Sequence, residues 1–104
     1  MIASTAPPPQ PSAPSANELG EVEDRLTQVS ARAGAAREAI DQIRSQQEAD
    51  GLGLRTDIAS SLTRMNSYLQ AANRSFAEHD AASANKSLDR AEKELETLET
   101  FLGK

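Results

Sequence analysis

The sequence predicts an all-α protein: an up-down-up antiparallel three-helix bundle, coiled-coil-like, behind a disordered proline-rich N-terminal tail. Three observations predict it. Apolar residues recur at alternating three- and four-residue spacing in three separate runs. Glycine and aspartate interrupt the runs near Gly51-Leu52-Gly53 and Asp80. No strand-like alternation occurs, and Ala, Glu, Leu, Arg and Gln dominate over Val, Ile and aromatics.

The tail comes first. Residues Thr5 to Ala16 read T-A-P-P-P-Q-P-S-A-P-S-A, a composition that favours extended, solvated backbone with nothing to bury. Residues 1–16 are therefore expected to be a linker, and 17–104 the bundle, with helices at about 17–49, 54–78 and 80–102. Pro8–Pro11 and Pro11–Pro14 fit the P-x-x-P pattern, which any such linker contains by chance.

Ser15 followed by Glu18 fits a capping box at the start of the first helix. Its seam is Leu19, Val22, Leu26, Val29, Ala33, Ala36, Ile40 and Ile43, and Asp50-Gly51 ends it. The second helix has Thr56 or Asp57 as candidate caps and the seam Ile58, Leu62, Met65, Leu69, Ala72 and Phe76. Asp80 is placed to cap the third, whose seam is Ala81, Ala84, Leu88, Ala91, Leu95, Leu98 and Leu102.

Short connections imply antiparallel neighbours. The first helix is longer than the others, so folding back directly at Gly51 leaves Leu19 and Val22 overhanging the bundle. The same register sets Tyr68 opposite Gly34. It also sets Arg37 and Arg44 near Glu92, Glu94 and Glu99.

Composition removes several functions. A net charge of −5, with the arginines spread among acids, opposes binding to nucleic acid and to anionic lipid. The absence of cysteine excludes disulfides and thiolate chemistry. No apolar run approaches the roughly 20 residues of a membrane span, so no membrane insertion is expected. Nor does a charged segment followed by an apolar run open the chain, so no signal peptide is expected within it.

The single histidine, His79, falls at a turn and suits a negative helix end better than a catalytic triad. Glu92, Glu94, Glu96 and Glu99 lack the Glu-x-x-His partners of a bundle di-metal site and read as a solvated or salt-bridged face. Asn73-Arg74-Ser75 and Asn85-Lys86-Ser87 match the glycosylation pattern but lie inside expected helices. No catalytic, cofactor or metal residue and no small-molecule substrate is expected.

Tyr68, Leu69, Ala72, Glu78-His79-Asp80, Ala84, Leu88 and Ala91 together resemble one helix–turn–helix unit of the tetratricopeptide repeat family. That family commonly sets Gly-Asp at the turn, and here His79 stands in the glycine position. The family's tryptophan and closing proline are missing, and the pattern occurs once. The resemblance implies a peptide-binding adaptor. The residues themselves point to a non-enzymatic protein-interaction or spacer module of a bacterial envelope protein, with a protein partner or a second copy meeting Leu19 and Val22. The Pro/Ala/Ser tether favours a periplasmic or secreted setting over the cytoplasm.

Overall fold

The computed structural model describes residues 15–51 and 53–103, and the expectation of a disordered tail lies outside them. Three helices follow one another: α1 (Ala16–Ala49), α2 (Thr56–Ala77) and α3 (Ala81–Phe101). They form a helical bundle without strands among the described residues.

Local chemistry sets most helix ends. The Ser15 hydroxyl accepts from the Glu18 amide at the start of α1, and the Asp80 carboxylate accepts from the Ser83 amide at the start of α3. The start of α2 differs from expectation. Arg55 is its N-cap and offers no side-chain cap, while Asp57 pairs instead with the Arg55 guanidinium at 2.7 Å.

All three helices end on a left-handed residue: Gly51 (φ 81°), His79 (φ 58°) and Gly103 (φ 81°). Behind α2 the turn is a complete Schellman motif, with Asp80 N–H donating to Ser75 O at 2.8 Å and His79 N–H to Phe76 O at 2.9 Å. His79 is the one residue of the three with a Cβ to accommodate there, a conformation glycine adopts freely.

The core is the expected seam, closely reproduced. Leu26, Val29, Ala33, Ala36 and Ile40 from α1 meet Ile58, Leu62, Met65, Leu69 and Ala72 from α2 and six residues of α3 from Ala81 to Leu98. Leu19, Phe76 and Leu102 are half-buried against its edges. Alanine occupies a large share of these positions, so the helices approach closely and α2–α3 is the tightest pair.

The register of α1 is the main departure. Arg32 bonds Glu99, two residues before α3 ends at Phe101. From Arg32, however, α1 runs on to Ala49, about 25 Å farther at roughly 1.5 Å per residue. The overhang is therefore at the Ala49 end, opposite to expectation. Val22 is buried at 2 % exposure and belongs to the core, and Leu19 packs against it. Ile43 is only half-buried and lies off the core cluster.

The cause is the 50–55 connection. The chain does not reverse directly into α2 at Gly51, because α2 starts well back along the bundle from the end of α1. Arg55 accordingly sits 5.6 Å over the Phe101 ring, two to three turns short of Ala49 by helix rise. Tyr68 does not fill the space at Gly34 either. A Cβ placed at Gly34 meets only the Arg37 guanidinium, at 3.9 Å.

Four substitutions test this arrangement through stability. Val22→Asp, which puts a charge into the core, is expected to cost more than about 3 kcal/mol in urea denaturation. Ile43→Asp is expected to cost less than about 1 kcal/mol; equal costs would contradict the register. Gly34→Ala and His79→Gly should each raise stability by about 0.5–1 kcal/mol, read from the same denaturation curves, the first through helix propensity and the second by relieving the left-handed strain.

Candidate functional site

Two polar clusters stitch the helices together. On the α1–α3 side, Arg25 and Arg32 are seven residues apart, as are Asn85, Glu92 and Glu99. Heptad spacing places both rows on facing flanks of parallel helices. The Arg25 guanidinium donates to Asp89 (2.6 Å), to Asn85 Oδ1 (3.0 Å), to Asn85 O (3.3 Å) and to Glu92 Oε1. Arg32 forks onto Glu99 at 2.7 and 3.3 Å and reaches Glu92 Oε2 at 3.5 Å. Glu92 thus bridges both arginines.

Burial pulls the Arg25 pKa down, but Glu92 and Asp89 outweigh it and hold the guanidinium above its ordinary range. The register expected from sequence set Arg37 and Arg44 near Glu92, Glu94 and Glu99. Arg37 instead bonds Asn66 at 2.8 Å, and Arg44 bonds Asp41 within α1 at 3.5 Å. That mismatch is the register error again, seen from the charged side.

The second cluster joins α2 to α3. Ser61, buried at 3 % exposure, donates to Glu94 Oε1 at 2.9 Å, and Arg64 grips Glu94 at 2.9 and 3.2 Å. Arg64, with help from Ser61, holds the Glu94 carboxyl below its ordinary pKa of 4.5. Tyr68 lies one helical turn beyond Arg64, on the flank of α2 that faces α3, which explains why it misses Gly34. Ser61 was not singled out from sequence. A serine beside an apolar seam gives no signal until the facing carboxylate is known.

Two open grooves flank the first turns of α2. One, of about 440 Å³, is lined by Leu54, Thr56, Ala59, Ser60, Thr63 and Arg64. The other, of about 450 Å³, is lined by Arg55, Asp57, Ile58, Thr97, Thr100 and Phe101. His79 is at the far end of α2 from both, exposed on the α2–α3 turn. Among the described residues no group of three or more His, Cys, Asp or Glu has the arrangement of a metal site, and no helix is long and apolar enough to cross a membrane.

The remaining feature is the projecting end of α1. Ile43 and Gln47 are half-buried there, and Leu54 from the returning connection packs against the edge of the core. Gln47 Oε1 is the one buried side-chain oxygen or nitrogen without a hydrogen-bond partner among the described residues. Comparison of the chain with protein-family models, curated proteins and solved structures found no match.

The clusters make distinct electrostatic predictions. Because the Glu94 pKa is depressed by folding, its contribution is present above the unfolded value and is lost as pH falls through the folded one. Glu94→Gln should therefore flatten the acid limb of the stability–pH curve below about pH 4.5. Arg25→Ala should cost about 1 kcal/mol, shrinking with added salt, while Arg44→Ala should stay within about 0.5 kcal/mol. Equal effects at Arg25 and Arg44 would contradict the ladder.

Proposed function

We propose that the chain is a non-enzymatic protein-interaction or spacer module, set on a Pro/Ala/Ser tether outside the cytoplasm of a bacterium. The observation that carries this reading is the projection of α1 past its two partner helices. On the flanks between helices Arg25, Arg32 and Arg64 are spent on pairing with α3 acids. The projecting end holds Ile43 and Gln47, with Leu54 at the core edge below it, none of them fully buried. The contact surface consequently moves from Leu19 and Val22, which the bundle uses itself, to the opposite end of α1.

The tether composition supports the extracytoplasmic setting, and the length of α1 suits a spacer. A peptide-adaptor reading has one observation in its favour. His79 adopts the left-handed conformation at the turn position where the tetratricopeptide family commonly sets glycine.

The reading is tested by capture from lysate of the source cells, comparing the unaltered chain, Ile43→Asp and His79→Gly by quantitative mass spectrometry. Ile43→Asp is expected to lose the specifically retained species, whether a second copy or another protein, while His79→Gly keeps it. Equal retention by Ile43→Asp would overturn the assignment of the contact to this end.

A further inference from the structure

We propose that α1 exchanges between two copies of this chain, residues 50–55 straightening so that α1 and α2 become one continuous helix. This deepens the interaction reading by naming a second copy as the partner.

Helical phase is the first argument. Ile40 closes the buried stripe of α1 and Ile58 opens that of α2. Eighteen residues separate them, which is five full turns at about 3.6 residues per turn. A straight helix therefore sets both stripes on one face. Ile43, Gln47, Gly51 and Leu54 all fall within about 60° of that face at roughly 100° per residue. The three larger ones are half-buried, as is Arg44 beside Ile43.

The second argument is where the imperfections lie. The unpartnered Gln47 oxygen, the off-core Ile43 and the uncapped start of α2 all occur at the α1–α2 junction. By contrast the α2–α3 turn is short, closed by the Schellman bonds and capped by Asp80. Hence α2 and α3 stay together, and α1 is the element free to exchange.

In the exchanged pair, α1 of each copy packs on the α2–α3 hairpin of the other through the same seam and the same Arg25 and Arg32 ladder. Between the two bundles the 41–55 segments run antiparallel, related by a two-fold axis near residue 48. Ile43 of one copy then lies near the level of Leu54 of the other, and Gly51 permits close approach of the backbones. Gly51 and Gly53 oppose the straight form, each about fivefold by helix propensity, and so set the balance between single chain and pair.

The test uses the whole chain. Light scattering after size-exclusion chromatography over a wide concentration range should show a dimer that increases with concentration. Gly51→Ala with Gly53→Ala should strengthen it at least about fivefold, and Gly53→Pro, which breaks a straight helix but leaves the α1 projection intact, should abolish it. Because the chain has no cysteine, Arg37→Cys with Asn66→Cys, whose side chains meet across α1 and α2 outside the ladder, can be joined by a short bis-maleimide. In the dimer fraction the link is expected between chains, doubling the mass under denaturing conditions. Links confined within one chain, or a dimer indifferent to Gly53→Pro, would overturn the exchange, as would a monomer at every concentration. If the alanine pair fails to fold by circular dichroism, the unaltered chain and Gly53→Pro decide. Loss of Ile43-dependent capture overturns the contact surface, whereas loss of the dimer alone overturns only the choice of a second copy.

Discussion

Where α1 sits along α3 decides nearly everything else about this molecule, and Arg25 and Arg32 mark that position. An apolar seam built from alanine and leucine tolerates sliding by one heptad, because each layer resembles the next. A guanidinium that reaches Asn85, Asp89 and Glu92 together does not. Exposed ion pairs add little stability, about 0–1 kcal/mol each. Their effect here is to discriminate between registers that the core would accept almost equally. From that one placement follow the burial of Val22, the stacking of Arg55 on Phe101 and the free end of α1.

The remaining architecture is a tight hairpin carrying a looser third helix. Ala72, Ala81, Ala84 and Ala91 are buried and let α2 and α3 approach closely, while Ser61, Arg64 and Glu94 fasten their flank. The turn between them is short and fully hydrogen-bonded even with histidine in the left-handed position. Between α1 and α2 the polar link is Arg37 to Asn66, and their connection bears two glycines with open space around both. Rigidity is thus concentrated in the hairpin, and freedom in the α1–α2 junction.

Much of this was legible in the sequence. The three seams, the Ser15 and Asp80 caps and the glycine stop at Gly51 are local signals, and local signals survive translation into structure. Register was not legible, because it depends on where α2 begins relative to the end of α1, which no local signal states. Assuming an immediate reversal at Gly51 put the overhang at Leu19 and Val22 and paired Arg37 and Arg44 with the α3 acids. One error of two to three turns produced both results. Ser61 and the projecting Ile43 became visible as features only once facing residues were in place.

Amide hydrogen exchange along α1 tests this placement most directly, since exchange reports local opening residue by residue. With the structure's register, in the monomeric fraction at low concentration, amides from Val22 to Ile40 are the slow ones in α1 and those from Ile43 to Ala49 exchange rapidly. Fast exchange around Val22 with strong protection at Ile43 and Gln47 would contradict it and restore the overhang at the opposite end.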